Sequence, residues 1–209
     1  MSVLDELACS LGRQDEVPNR ELARRLAERE DRGSIAEIAT ALWSKDRNIQ
    51  ADCLKVLYEI AFLKPELVAG FAEDFIRLLR SKNNRLVWGA MIALSAVAGV
   101  AADPIYAHLT EIKKAMGHGS VITVDAAVLT LAQLASSSPQ RNGEIFPYLL
   151  EHLRTCRPKD VPQHAEKSLV AVNGSNQRAF VEVLEARLHH LAGTQISRVR
   201  RVIRKASVL

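Results

Sequence analysis

The amino-acid sequence predicts an all-α protein built as a right-handed α-α superhelix of about five helical pairs. Three observations support this fold class: an internal repeat of about 37 residues, a composition poor in strand-forming residues, and turn-forming residues at the repeat boundaries. With 48% hydrophobic and 25% charged residues, the 209-residue chain has the composition of a folded protein with a sizeable core. Aromatic residues make up only 5%, which favours helices over β-strands.

The repeat consists of columns of apolar residues that recur at steps of 37 or 38 positions. In the first helix of each pair, helix A, the columns lie four positions apart, along one helical face. In the second helix, helix B, two columns of larger residues keep the same steps. The helix A columns are Leu57, Leu94, Leu131 and Leu169; Cys53, Ala90, Ala127 and Ala165; and Ala61, Ala98 and Ala135; the helix B columns are Leu42, Leu79, Met116, Leu153 and Leu191, and Ile35, Ala72, Leu109, Phe146 and Leu184.

Residues 86–102 form an uncharged run of seventeen residues that raises the question of a membrane span. The run is shorter than the roughly twenty apolar residues that a bilayer requires. Its columns recur in helices that contain Asp52, Lys55, Glu59 and Asp125, which a membrane interior does not tolerate. We therefore expect the run to be a helix A in the centre of the array, and we expect no membrane association.

Prolines and polar residues predict where the helices begin. The pair Asp103-Pro104 predicts an N-cap and the first helical position of a helix B that extends to residue 116. The pair Ser138-Pro139 marks the next turn from A to B. Pro147 fits its helix B only if that helix begins a few residues earlier, because the first helical turn needs no backbone donor.

The columns resemble those of the HEAT-repeat family and its armadillo-like relatives. The resemblance is carried by the leucines and alanines of "NRLVWGAMIALSAVA" and "PIYAHLTEIKKAM" and by their counterparts at 48–80, 122–154 and 160–191. It extends over roughly residues 20–191. The Asn or Asp and the basic residues common inside HEAT repeats are not regular here, so the choice between HEAT and armadillo stays open. The resemblance implies stacked helix pairs around a continuous core.

We expect a single repeat domain over residues 1–209, with an N-terminal cap at 1–31 and a basic C-terminal capping helix at 192–209. Its last thirteen residues carry five cations: Arg198, Arg200, Arg201, Arg204 and Lys205. Because the net charge of the chain is +4, the rest of the chain carries a net charge of −1. This distribution does not predict a globally basic nucleic-acid binder.

The three cysteines, Cys9, Cys53 and Cys156, are odd in number and far apart, which favours a reducing compartment over a disulfide framework. The first sixteen residues carry acids early and do not match the pattern of a signal peptide. We therefore expect a cytoplasmic protein.

The sequence predicts no catalytic residue, no metal ligand set and no cofactor. It contains no HExxH, CxxC or GxSxG motif. His152 and Cys156 are four positions apart on one helix B, but two ligands do not make a metal site, and we expect separate roles for them. Cys53 belongs to a small-residue column, which indicates a packing role.

One enzymatic alternative follows from the resemblance. Some HEAT-like proteins are alkylpurine DNA glycosylases, which use tryptophans and a carboxylate on their concave surface. This chain has only Trp43 and Trp88, and the repeat register predicts no carboxylate beside either of them. Accessory proteins such as HEAT-like bilin lyases are a further alternative for which no specific residue is found.

Positive charge is concentrated at the turns from helix B to the next helix A. Ten cations stand there against Asp46 and Asp160, whereas the charges at the A-to-B turns cancel. Cations at helix C-termini are favourable, which accounts for residues such as Arg80, Lys113 and Arg154. This preference does not account for Arg47, Arg85 and Lys159, which stand where the next helix begins. The ten cations are Lys45, Arg47, Arg80, Lys82, Arg85, Lys113, Lys114, Arg154, Arg157 and Lys159.

These observations predict a non-catalytic protein-binding scaffold with an acidic protein partner; the alternative is nucleic-acid binding along the basic edge. Trp88 stands one turn from Arg85 in a column otherwise made of Ala51, Asp125 and Gln163. It is predicted either to pack across Ala51 or to anchor a partner. The candidate partner-binding residues are Lys82, Arg85, Trp88, Lys113, Lys114, Arg154, Arg157 and Lys159.

Overall fold

The computed structural model describes residues 2–208, which contain helices and turns and no β-strand. Twelve α-helices lie within these residues, joined by short turns and six 3₁₀ segments. The helices are α1 Val17–Arg29, α2 Arg32–Ala41, α3 Arg47–Leu63, α4 Ala72–Leu78, α5 Asn84–Val97, α6 Ala102–Tyr106, α7 Leu109–His118, α8 Val121–Ser136, α9 Pro139–Thr155, α10 Val161–Ser168, α11 Gln177–Arg187 and α12 Thr194–Ala206.

The helices follow the predicted alternation of A and B. Helices α1, α3, α5, α8 and α10 are the A helices; α2, α4, α6 with α7, α9 and α11 supply the B positions. Within the described residues this makes five helical pairs, as predicted. The chain divides into two compact units, Met1–Ala127 and Val128–Leu209. In the first unit α3 packs between α1 and α5, and in the second α12 packs on α10 and α11.

The predicted columns form the buried core. Every residue of the two helix B columns is buried, from Ile35 to Leu191. In the A helices the small-residue columns are buried throughout, and of the leucine column only Leu169 is half-buried. Burial raises the pKa of the Cys53 thiol to about 12, in keeping with a packing role. The 37-residue period is therefore the period of the core.

Polar side chains cap the beginnings of several helices. Asp46 accepts a hydrogen bond from the backbone N–H of Asn48 at 2.7 Å at the start of α3. Asn83 accepts one from Arg85 at 3.0 Å at the start of α5. Ser138 caps α9, with proline at its first helical position, as predicted. Because the capping side chains satisfy N–H groups that the helix leaves unpaired, they define where these helices begin.

Two predictions about helix B are wrong. The segment after Asp103 is not one helix capped by that residue: α6 begins at Ala102 without a side-chain cap, and a break separates α6 from α7. Pro147 does not lie in a first turn, because α9 already begins at Pro139 and contains Pro147 in its interior. A proline inside a helix removes one backbone hydrogen bond, and tertiary packing outweighs the cost of that loss here.

Residues 86–102 correspond to helix α5 and the turn that follows it, as expected for a central helix A. Among the described residues, no helix combines the length and the apolar character needed to cross a membrane.

Buried polar side chains attach the N-terminal segment to the first repeats. Asn19 accepts a hydrogen bond from the backbone of Ala8 at 2.9 Å, and Asp52 accepts one from the backbone of Cys9 at 2.8 Å. Lys55 is buried and forms ion pairs with Glu16 at 2.8 Å and with Glu59 at 2.7 Å. Of the charged residues that argue against a membrane span, Asp52 and Lys55 therefore hold the N-terminal segment on α3.

Asp52→Ala is expected to destabilise the protein by about 1–3 kcal/mol, because the half-buried N–H of Cys9 loses its acceptor. Asp52→Asn keeps a carbonyl acceptor of the same shape and should lose much less. Urea unfolding of both variants measures the difference. Equal losses for the two would show that the hydrogen bond contributes little.

Glycine is required where α7 turns into α8. A Cβ atom on Gly119 would lie 2.6 Å from the backbone oxygen of Ala115 and from Cβ of Thr123. Gly119→Ala should therefore cost about 1–3 kcal/mol of stability, measured by thermal or urea unfolding. Gly117, two residues earlier in α7, has open space at its Cβ position, so Gly117→Ala is the matched control. That control should gain up to about 1 kcal/mol, and a loss there would contradict this explanation.

Candidate functional site

The cations of the predicted basic edge occupy different positions in the structure. Arg47 and Arg85 lie in the first turns of α3 and α5, as predicted, and Lys159 lies in the 3₁₀ turn before α10. Lys113 and Lys114 do not lie in a turn between helices, because α7 continues to His118. Their placement at a turn is therefore wrong: they lie within α7, five and four positions before its last residue.

Lys82 and Lys114 line the same groove in the first unit. The groove has a volume of about 740 Å³ and lies between the turn after α4, the start of α5 and the length of α7. Leu79, Val87 and Ala115 contribute apolar surface to its walls. The remaining lining residues are Arg80, Ser81, Asn84, Thr110, Glu111, His118 and Gly119. The groove thus combines an apolar lining with cationic side chains at the same place.

A second groove of about 610 Å³ adjoins the first and shares Arg80, Ser81, Lys82 and Asn84 with it. It lies between the end of α2, the start of α3, helix α4 and the start of α5. Four cations line it: Arg47, Arg77, Arg80 and Lys82. No carboxylate among the described residues lines it. Together the two grooves form a continuous cationic surface, which we call the α4–α5 basic surface.

The cations of this surface differ in how far they are neutralised. Arg80 pairs with Glu111 at 2.8 Å. The pKa of Glu111 lies below its usual value because its own backbone N–H donates to it, with help from Arg80 and His108. Arg47, Lys82 and Lys114 are exposed and form no ion pair with any residue that the structure describes. These three charges are therefore available to a ligand.

The predicted cations of the second unit are largely neutralised by their own neighbours. Arg154 pairs with Glu151 at 3.3 Å, and Arg157 pairs with Asp160 at 2.7 Å. Lys159 is exposed. The predicted set therefore does not form one uniform ridge of free charge.

Arg85 and Trp88 face away from the grooves. Both line a narrow crevice against α3, together with Ala51, Tyr58 and other residues of the first unit. The indole of Trp88 is half-buried, and its ring centroid lies 6.5 Å from that of Tyr58. The tryptophan thus lies beside the alanine across which packing is predicted.

Trp43 is the more exposed tryptophan, at 43%, and it borders the second groove. Its indole N–H donates to Asp74 at 3.1 Å, and the guanidinium of Arg77 lies 4.1 Å from its ring centroid. The expectation that no carboxylate accompanies either tryptophan is therefore wrong for Trp43. The repeat register did not predict this contact, because Trp43 follows α2 whereas Asp74 lies in α4, the helix B of the next pair. One face of the ring is covered by Arg77.

The structure brings a third candidate ligand, His164 on α10, close to His152 and Cys156. Nδ1 of His164 is 2.9 Å from Nε2 of His152. The ligand atoms of these two histidines and of Cys156 lie within 4.8 Å of one another. Burial, followed by the nearby His164, lowers the pKa of His152 to about 4, so its imidazole is neutral at pH 7. Burial raises the pKa of the Cys156 thiol.

Three solved structures resemble this chain over most of its length. An engineered protein is 21% identical with a TM-score of 0.69, covering 100% of this chain and 98% of that one. A designed armadillo repeat protein in complex with the peptide (KR)4 is 15% identical with a TM-score of 0.69, covering 90% and 85%. Another designed armadillo repeat protein is 13% identical with a TM-score of 0.65, covering 97% and 99%.

No family model and no curated protein matches the chain. At these identities the structural likeness defines the fold alone. The chain has an armadillo- or HEAT-like helical-repeat fold, an all-α solenoid, as the 37-residue columns predict.

Trp88→Ala is expected to lower the free energy of unfolding by about 1–3 kcal/mol, because the half-buried ring packs against Tyr58. Urea unfolding followed by circular dichroism measures it. Trp43→Ala, at an exposed site, is the control and should lose less than about 1 kcal/mol. A Trp88 variant as stable as the wild type would restore the interpretation of Trp88 as a partner anchor.

Proposed function

We propose that this chain is a non-catalytic, HEAT-like scaffold that binds an acidic segment of a partner protein on the α4–α5 basic surface. The observation that carries the proposal is the meeting of two grooves at Arg80 and Lys82. Arg47, Lys82 and Lys114 carry charges that no described neighbour neutralises. We place this interaction in the cytoplasm, because the cysteine content favours a reducing compartment.

The lining of the first groove favours an extended peptide. Leu79, Val87 and Ala115 offer apolar contact, while Lys82 and Lys114 offer charge within the same groove. A peptide strand carries side chains of both kinds close together, so acidic side chains can meet the lysines while apolar ones contact the walls. Charge complementarity of this kind mainly sets specificity and the rate of association.

A structural relative supports a peptide as the ligand class. The designed armadillo repeat protein with TM-score 0.69 is in complex with the basic peptide (KR)4. The α4–α5 basic surface is positively charged like that peptide, so an acidic peptide is the ligand of complementary charge. The structural likeness supports the use of a repeat surface for peptide binding, and the positive charge of the α4–α5 basic surface supports an acidic peptide.

Nucleic acid is the alternative ligand, since phosphates also bind exposed cations. Two observations favour protein. The ring of Trp43, on which a base would stack, is covered on one face by Arg77. The apolar walls of the first groove have no partner in a phosphate backbone.

Binding of an eight-residue peptide of alternating Asp and Glu tests the proposal. Fluorescence anisotropy at low salt should detect binding that weakens as salt is raised, while (KR)4 should not bind. The double variant Lys82→Glu, Lys114→Glu should weaken binding at least about tenfold. Lys159→Glu, an exposed cation of the second unit, is the matched control and should leave affinity unchanged.

A labelled single-stranded DNA of eight nucleotides separates the two ligand classes. The proposal fails if the acidic peptide does not bind at low salt, or if the Lys159 variant weakens binding as much as the double variant. Binding of the DNA with the peptide excluded would instead favour the nucleic-acid alternative.

A further inference from the structure

Three side chains with soft or borderline ligand atoms converge in the second unit. His152 lies in the last turns of α9, Cys156 ends that helix, and His164 lies in α10. Nε2 of His152 and Nδ1 of His164 are 2.9 Å apart, and Sγ of Cys156 lies within 4.8 Å of both. His164 is buried, and the other two are half-buried, so the cluster borders solvent.

The backbone around the cluster is held in place. Helices α9 and α10 are connected through a short 3₁₀ turn, Pro158–Asp160. From α11, the guanidinium of Arg187 donates to the carbonyl oxygens of Cys156, at 2.6 Å, and of Arg154. Burial raises the pKa of the Cys156 thiol, and the positive charge of Arg187 opposes part of that rise. The position of the cysteine is therefore set by a third helix.

We propose that His152, Cys156 and His164 form a zinc-binding site that joins the end of α9 to α10. Two imidazole nitrogens and one thiolate match the ligands that Zn²⁺ takes in proteins. Three protein ligands leave the fourth tetrahedral position to water or to a ligand from solution. The site is independent of the α4–α5 basic surface, since none of its residues lines either groove.

The geometry is close to what tetrahedral zinc requires. With Zn–N bonds of about 2.0–2.1 Å and a Zn–S bond of about 2.3 Å, ligand atoms lie about 3.3 Å apart for two nitrogens and about 3.6 Å apart for nitrogen and sulfur. The two histidine nitrogens, at 2.9 Å, need to separate slightly. Cys156, at up to 4.8 Å, needs to approach by about an ångström. A half-buried side chain at a helix end can make such a movement.

Proton balance is simple. The hydrogen bond between the imidazoles places one proton between the two nitrogens that would bind the metal. On binding, the imidazole that donates this hydrogen bond moves its proton to its other ring nitrogen, and Cys156 loses its thiol proton to solvent. Two Zn–N bonds and one Zn–S bond form, and one proton is released for each Zn²⁺ bound.

Zinc titration of the metal-free protein tests the site. Isothermal calorimetry in a non-chelating reducing buffer should give one Zn²⁺ per chain, and thermal unfolding should shift to higher temperature with zinc. Substitution by Co²⁺ should add a sulfur-to-cobalt charge-transfer band. Cys156→Ser should remove that band and weaken Zn²⁺ binding more than about tenfold. His152→Gln, at a half-buried position, should weaken binding similarly.

Matched controls separate this site from adventitious binding. Cys9→Ser, at another half-buried cysteine, should leave the cobalt band and the zinc affinity unchanged. The adjacent exposed histidines, His189 and His190, are changed together to Asn, and this variant should also bind as the wild type does. The proposal is overturned if the wild type binds no Zn²⁺, or if Cys156→Ser binds it unchanged. Binding that is lost only in the His189, His190 variant overturns it as well.

Discussion

The close approach of α3 and α5 is the contact on which the first unit depends. On α5, Gly89 has no side chain where a Cβ atom would lie 2.7 Å from a side-chain atom of Leu54 on α3, and the adjacent Ala90 has no exposed surface. Small residues at these positions let two helix backbones come together, and the dispersion contacts of a close-packed interior follow. Because the turn Ser81–Lys82 and the start of α5 are positioned by this contact, the basic grooves depend on it too.

Burial of charge at the N-terminal end of the array is a consequence of the same stacking. The chain before α1 contacts α3, where the backbone of Cys9 donates to Asp52 and Glu16 pairs with Lys55. Lys55 shows how this is achieved. Burial opposes its charge, but hydrogen bonds to Glu16 and Glu59 hold its pKa above its usual value, and its ammonium group lies 4.8 Å from the ring centroid of Tyr58. These polar contacts act together with the buried apolar side chains of the same segment, Val3, Leu7 and Ala8.

The core could be predicted from the sequence, whereas the sites could be predicted only in part. Burial imposes a period, so the leucine and alanine columns identify the inward positions of every pair. Exposed cations carry no such period: Lys114 lines a groove because the fold brings α7 beside the start of α5, and no column of the repeat marks that contact. The ion pair of Arg157 with Asp160 joins residues three positions apart, whereas the meeting of His152 with His164 joins two helices and does not follow from spacing along one helix.

The candidate sites nevertheless leave a trace in the repeat register. At steps of 37 and 38 residues, His164 shares a column with Asp52, Gly89 and Ala126, and His152 shares one with Ala41, Leu78 and Ala115. In each of these two columns, a histidine stands where most of the other repeats have a small or apolar residue. Core packing alone favours retaining the small residue, because helices approach closely there. Polar residues that depart from a column beside the core thus have a role that packing does not supply. Asp52 fulfils such a role by accepting the N–H of Cys9, and in the second unit two such departures meet each other beside a thiol.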